Sequence, residues 1–138
     1  MSRNVLLFKA LIEDDGKEDN YLQSIKQNFD FNVVPVPVLK FVFENAIFLS
    51  EQLRNPGNFD GIVLTSPRSV EAVSVGFASI GEDFADSILK IWREKKICYV
   101  VGDASYDKVK NDLFWSEEHI RGKESGNAKK LSAQVSLL

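Results

Sequence analysis

The chain has few of the residues that build disulfides and metal centres. Its 138 residues include one cysteine, Cys98, and one histidine, His119. A single cysteine excludes an intramolecular disulfide and suits a reducing compartment. His119 has no Cys or His at metal-ligand spacing, so we expect a solvated loop residue and no metal site. Cys98 lies inside an apolar segment, where we expect a buried, unreactive thiol.

Long apolar runs and an excess of basic residues are also missing. No apolar stretch approaches the roughly 20 residues of a membrane-spanning helix. The N-terminus has neither the apolar core of a signal peptide nor an Arg- and Ser-rich transit helix. A net charge of −3 argues against a general nucleic-acid binder. These observations predict a cytosolic protein that binds neither nucleic acid nor a membrane.

Apolar segments alternate between strand and helix patterns along the chain. Short apolar runs typical of strands occupy residues 5–8, 61–64 and 97–101, and residues 114 and 115 are expected to begin another. Helical spacing marks six further segments. Their apolar residues are Leu22, Ile25 and Phe29; Ala46, Leu49 and Leu53; Val70, Val73 and Phe77; Phe84, Ile88, Ile91 and Trp92; Tyr106, Val109 and Leu113; and Ala128, Leu131, Val135 and Leu138. The alternation predicts an α/β fold with a parallel sheet covered on both faces.

Two prolines interrupt an otherwise strand-like segment near the start of the chain. Pro35 and Pro37 lack the N–H that a central strand must donate, so residues 31–38 cannot form a central strand along their whole length. We interpret residues 35–37 as a crossover, after which residues 39–43 continue extended into a second lobe. The predicted domains are residues 1–36, a βα piece of a first lobe, and residues 37–138, most of a second lobe. A further strand is expected after the last helix, so the chain is predicted to be a shortened form.

Three junctions before helices carry similar polar residues and could form one binding site. Ligands of open α/β sheets gather at the carboxyl ends of strands, where helix N-termini supply unpaired N–H groups and partial positive charge. The candidate binding residues at these junctions are Thr65, Ser66, Arg68, Gly102, Ser105, Gly126 and Asn127. Ordinary helix capping is the alternative explanation for each junction alone. The residues themselves lead to an anion-binding α/β domain for a molecule with several carboxylates or phosphates.

Asp14 and Asp15 suggest a different function, that of a response-regulator receiver. That fold also needs an aspartate at the end of a later strand, where this chain has Thr65 and Ser66. Asp60 precedes its strand and would lie at the opposite end. The receiver interpretation is therefore disfavoured.

Five stretches of the chain, in order, resemble uroporphyrinogen-III synthase, particularly its animal forms. The most specific is Thr65-Ser66-Pro67-Arg68 with Val70-Glu71-Ala72, and Gly126-Asn127-Ala128 with Lys130-Leu131 supports it. The others are Val5-Leu6-Leu7-Phe8-Lys9, Val34-Pro35-Val36-Pro37-Val38-Leu39 and Tyr99-Val100-Val101-Gly102-Asp103-Ala104. The resemblance covers nearly the whole chain.

The resemblance implies a lyase of porphyrin and heme biosynthesis with two α/β lobes around a substrate cleft. It implies a cofactor-free reaction in which hydroxymethylbilane loses water, ring D is inverted and the macrocycle closes to uroporphyrinogen III. Substrate contacts are implied at Thr65, Ser66 and Ser105, with no single indispensable acid–base residue, and the chain is expected to be a monomer. Family members run to roughly 250 residues, a length consistent with two lobes, so we expect little activity from this chain alone. The alternative is a non-catalytic anion-binding or interaction module built on the same half-fold.

Overall fold

A computed structural model describes residues 3–10 and 20–135, apart from the side chains of residues 82–84. Within these residues the strands are β1 (Arg3–Ala10), β2 (Phe31–Leu39), β3 (Gly61–Leu64), β4 (Ile97–Val100) and β5 (Ile120–Arg121). The α-helices are α1 (Asn20–Asn28), α2 (Ala46–Leu53), α3 (Pro67–Ala78), α4 (Glu82–Lys95), α5 (Gly102–Asp112) and α6 (Ala128–Val135). The strands form two parallel sheets, β1–β2 and β3–β4–β5. The predicted α/β class is therefore confirmed.

Some sequence predictions fall on positions that the structure does not describe. The acidic pair Asp14 and Asp15, the side chain of Phe84, and Leu138 lie outside the described residues. Among the helices that are described, none is both long enough and apolar enough to cross a bilayer.

The chain divides into two compact units, Met1–Val42 and Phe43–Leu138. The boundary predicted after residue 36 falls inside β2, six residues before this division. Residues 39–43 were expected to run extended into a second lobe, but the strand ends at Leu39 and residues 40–43 contain none. Asn45, just before α2, has a left-handed φ of 57°, which turns the chain into the helix.

The first unit pairs β1 with β2 in parallel, and α1 contacts β2. Pro35 lies opposite Leu7, and Pro37 lies opposite Lys9. The prediction that residues 35–37 form a crossover was therefore wrong. The prolines are tolerated because β2 has a strand on one side only and donates no N–H from its other edge. None of the described residues of this unit is buried, so it has no core of its own.

The second unit builds its core around a three-stranded sheet. Leu64 of β3 lies opposite Val100 of β4, and Tyr99 of β4 lies opposite Arg121 of β5. The buried apolar residues come from every element between α2 and β5 and match the predicted helical stripes. They include Leu53, Leu64, Val70, Val73, Phe77, Trp92, Cys98, Val100, Val109, Leu113, Trp115 and Ile120. The predicted strands and helices of residues 46–113 are confirmed by this packing.

One predicted strand was wrong. Phe114 has a left-handed φ of 54°, which a strand does not allow. Trp115 is buried, and its Nε1–H donates to the Lys96 carbonyl at 2.9 Å. The aromatic pair therefore ends α5 and anchors the loop, and the third strand of this sheet forms only at β5.

Candidate anion-binding site

The three predicted junctions follow strands or loops at one edge of the second unit's sheet. Because β3, β4 and β5 are parallel, their carboxyl ends meet at the same edge. Thr65 and Ser66 follow β3 and precede α3, Gly102 follows β4 and begins α5, and residues 122–127 join β5 to α6. Three helices therefore begin along this edge, which we call the carboxyl edge.

The second and third junctions are hydrogen-bonded to each other. The Gly102 N–H donates to the Gly122 carbonyl at 3.3 Å. The buried Ser125 hydroxyl lies 2.6 Å from the Gly122 carbonyl and 3.3 Å from the Val100 carbonyl. A Cβ at Gly122, whose φ is +100°, would come within 2.0 Å of the Val100 carbonyl oxygen. Glycine is required here because the loop after β5 lies directly against the end of β4.

Ser66 caps α3. Its hydroxyl accepts from the Ser69 N–H at 3.3 Å, and the Ser69 hydroxyl lies 3.2 Å from the Ser66 N–H. Pro67 occupies the first turn, where its missing N–H costs nothing. Thr65 is exposed beside this cap. The first junction therefore satisfies part of its own N-terminus and offers the Thr65 side chain to solvent.

Arg68 is paired within the protein. Its Nη1 lies 2.7 Å from Oε2 of Glu71, one turn along α3. Oε1 of Glu71 lies 3.4 Å from Nζ of Lys108 in α5, and Lys108 also pairs with Asp112 at 2.8 Å. The hydrogen bond with Asp112 is the main cause that raises the pKa of Lys108. This network joins α3 to α5 and balances the charge of Arg68.

The N-terminus of α5 is the least capped of the three. Val101 stands at its N-cap position and provides no side-chain hydrogen bond. Gly102 has a φ of +79°, and a Cβ built on it would meet no atom within 4 Å. The first turn of α5 therefore keeps the partial positive charge of the helix dipole next to open space. The exposed carboxylate of Asp103 lies in the same turn and opposes the approach of an anion.

Ser105 differs from its predicted role. Only 1% of it is exposed, on the core side of α5. A side chain at this depth does not reach a ligand at the carboxyl edge. The helical period explains the difference, because Ser105 lies on the same face as Val109, which is fully buried.

The third junction combines a capped helix with an open glycine. Oδ1 of Asn127 accepts from the Lys130 N–H at 2.9 Å, which makes Asn127 the cap of α6. Gly126 has a φ of +61°, is exposed, and has no atom within 4 Å of a built Cβ. Gly126 therefore leaves its backbone accessible, while the Asn127 side chain is already used.

Lys123 was missed by the sequence analysis, although it stands between Gly122 and Gly126. Its Nζ lies 4.8 Å from the centre of the Tyr106 ring of α5, which holds a cation over the second turn of that helix. Lys123 also lines a concavity of about 470 Å³ together with Tyr99, Arg121 and Gln134. None of the seven predicted binding residues lines this concavity, which runs along β4 and β5 to the loop after β5.

The two residues set aside for nucleophilic or metal chemistry lie apart from this edge. Cys98 is fully buried, and burial raises the pKa of its thiol to about 12, which keeps it protonated and unreactive at neutral pH. His119 is only 25% exposed, so the expectation of a solvated residue was wrong; its Nδ1 lies 3.8 Å from Oε1 of Glu118 and has no hydrogen-bond partner. Among the described side chains of residues 3–10, 20–81 and 85–135, no group of three or more His, Cys, Asp or Glu residues could hold a metal ion.

The carboxyl edge thus combines one uncapped helix N-terminus, two glycines beside open space and one lysine near the same helix. Backbone N–H groups rather than side-chain cations dominate it, which suits carboxylate or phosphate groups. No protein-family model matches the chain.

Proposed function

We propose that the carboxyl edge binds a molecule with several carboxylates, and that this molecule is the tetrapyrrole handled by uroporphyrinogen-III synthase. The observation that carries the proposal is that α5 begins at Gly102 without a side-chain cap, with α3 and α6 beginning along the same edge. The Thr-Ser-Pro-Arg and Gly-Asn-Ala blocks, which carry the resemblance to the synthase, lie at this edge too.

The charge distribution supports a polycarboxylate ligand. The chain is acidic overall, with a net charge of −3, so it has no general attraction for anions. Helix N-termini attract anions locally, and the effect falls off within the first turn. A flexible molecule with carboxylates spread around it can meet several such points at once, whereas a small anion meets one. Lys123, held over Tyr106, adds a full positive charge near α5.

The proposed mechanism rests on positioning. Backbone donors near Gly102 and Gly126, with the hydroxyl of Thr65, would hold the carboxylates and so fix the ends of the linear substrate near each other. Holding reacting ends in one geometry converts ring closure into a favoured intramolecular step. Ser105 is not part of this proposal, because it is buried.

Amide NMR with the full chain tests the binding step. Uroporphyrinogen, which carries eight carboxylates, should shift the amide signals of Asp103, Ala104 and Gly126. Coproporphyrinogen, which has the same ring system and four carboxylates, should shift the same signals at higher concentration. The amide of Gly57, which lies in the 3-10 helix 56–58, is the internal control. Shifts confined to residues away from the carboxyl edge would disprove the site.

Product analysis tests the catalytic step. Hydroxymethylbilane closes spontaneously to the type I isomer, so formation of the type III isomer above that background is the specific signal of synthase activity.

The second candidate function is a non-catalytic anion-binding module. It is favoured because Ser66 and Asn127 are used as caps and Ser105 is buried. Binding at the carboxyl edge without type III product would select this second function.

A further inference from the structure

The two strands of the first unit differ in how well their outer edges are protected. Pro35 and Pro37 are alternate residues of β2, so their nitrogens face the same side of the strand. The hydrogen bonds between β1 and β2 need N–H donors from β2. The proline nitrogens therefore face away from β1, and the N–H groups of Val34 and Val36 face toward it. The outer edge of β2 therefore lacks two consecutive donors and is blocked against another strand.

The outer edge of β1 has no such protection. Since Leu7 lies opposite Pro35, the backbone of Leu7 faces β2, and the backbones of Leu6 and Phe8 face outward. No described strand pairs with this edge. Residues 3–10 contain no proline, and the Leu6 and Phe8 side chains are 59% and 62% exposed. The unit thus has one open edge with apolar side chains beside it.

The first unit also needs more contacts than it has. None of its described residues is buried, and a two-stranded sheet is marginal in water. Pairing at the open edge would add backbone hydrogen bonds and bury apolar surface at the same time.

We propose that β1 pairs antiparallel with β1 of a second copy of this chain, in place of the monomer that the resemblance implies, which gives a four-stranded sheet in the order β2–β1–β1–β2. Outward-facing residues pair with outward-facing residues, so Leu6 of one copy exchanges two backbone hydrogen bonds with Phe8 of the other. Leu7 then lies opposite Leu7 of the second copy, on the two-fold axis. The exposed Leu6 and Phe8 side chains become cross-strand neighbours, a favourable aliphatic–aromatic pair.

Charge selects this register over the one centred on Leu6. Centring the pair on Leu6 would place Arg3 of one copy opposite Lys9 of the other, and like charges directly opposite each other destabilise a sheet. Centring on Leu7 removes that pair and places Lys9 opposite Val5. The blocked edge of β2 ends the sheet after four strands, so the assembly closes as a dimer and does not grow into a fibre.

Two variants that each remove one N–H test the edge. Leu6→Pro removes an outward N–H from β1, and Val33→Pro removes an N–H from the already blocked edge of β2. Sedimentation equilibrium measures the mass of the full chain in solution. Wild type and Val33→Pro should reach twice the 15.5 kDa chain mass. The dissociation constant of the Leu6→Pro dimer should be at least tenfold higher than that of the wild-type dimer. The proposal would be overturned if the wild-type chain stays monomeric. It would also be overturned if both variants keep the wild-type circular dichroism spectrum and dissociate equally.

Crosslinking tests the register even if a proline variant fails to fold. In a Cys98→Ala background, Leu7→Cys places two thiols opposite each other across the axis, within the Cα distance that a disulfide needs. Leu6→Cys places its thiol opposite Phe8 instead. Mild oxidation should convert most of the Leu7→Cys chain to a covalent dimer and little of the Leu6→Cys chain. Equal or inverted yields would overturn the Leu7-centred pairing.

Discussion

The N–H of Gly102 donates to the carbonyl of Gly122 across 3.3 Å, which joins the start of α5 to the loop after β5. Both glycines have positive φ values, 79° and 100°. One leaves open space at the helix N-terminus, and the other allows the loop to lie against the end of β4. The same pair of residues thus shapes the carboxyl edge and holds it together.

Gly122→Ala should destabilise the second unit strongly. The added Cβ would meet the Val100 carbonyl oxygen at 2.0 Å and Cδ1 of Leu131 at 2.7 Å, and the left-handed backbone adds strain. We expect a loss of about 3 kcal/mol or more in the free energy of unfolding, measured by urea denaturation. Gly57→Ala is the control, because its Cβ would meet nothing within 4 Å and should change stability by less than about 0.5 kcal/mol. Equal effects of the two substitutions would contradict the close packing at Gly122.

Asp103→Asn should strengthen binding of a polycarboxylate. The Asp103 carboxylate lies in the first turn of α5, where it opposes a second anion at the same N-terminus. Removing its charge should raise the affinity for uroporphyrinogen about twofold to fivefold, measured by isothermal titration calorimetry. Asp107→Asn, one turn further along α5, is the matched control and should change affinity little because the dipole effect falls off within the first turn. Unchanged or weaker binding in Asp103→Asn would place the anion elsewhere.

Glu71→Gln should affect stability and anion binding in opposite directions. The variant weakens the Arg68–Glu71–Lys108 network between α3 and α5, which should cost no more than about 1 kcal/mol and less at high salt. It also removes the carboxylate that competes with a ligand for Arg68, so polycarboxylate binding should tighten. Urea denaturation at low and high salt measures the first effect, and calorimetry measures the second. Glu51→Gln makes the same change of net charge at an exposed position of α2 and should reproduce neither result.

The stability of the protein should fall at high pH through Cys98. Burial raises the pKa of the Cys98 thiol from 9.0 to about 12, so the unfolded chain ionises first. The contribution of the neutral buried thiol is fully present below pH 9 and is lost as the pH rises toward 12. Between these pH values, Cys98 should lower the free energy of unfolding by up to about 1.4 kcal/mol per pH unit.

Cys98→Ala isolates this effect from other groups that titrate at high pH. The free energy of unfolding of Cys98→Ala should be lower than that of wild type at neutral pH, because a buried side chain is shortened. Above pH 9, the free energy of unfolding should fall less steeply in the variant than in wild type. A thiol reagent at pH 8 should label Cys98 only after denaturant is added. Rapid labelling of the folded chain would show that the thiol is accessible and that this account of its pKa is incorrect.

The sequence alone determined most of the helices and strands of the second unit. Periodic apolar residues such as Val70, Val73 and Phe77 indicated α3 because helix spacing and burial coincide there. The capping interpretation holds at Ser66, because capping is a local interaction of a few neighbouring residues. The α/β class followed from the alternation of these elements.

Tertiary structure alone decided the positions that depend on distant contacts. Pro35 and Pro37 lie within a strand because β1 occupies only one of its sides. Trp115 is buried because its ring packs against Trp92, and the Lys96 carbonyl accepts its N–H. Lys123 lies over Tyr106, although the sequence of its loop gave no sign of this contact. Ser105 turns toward the core on the face of α5 that also carries Val109. Local patterns encode the elements, since the interactions that form them span a few residues. The faces that those elements present to a ligand depend on packing between residues far apart in the chain.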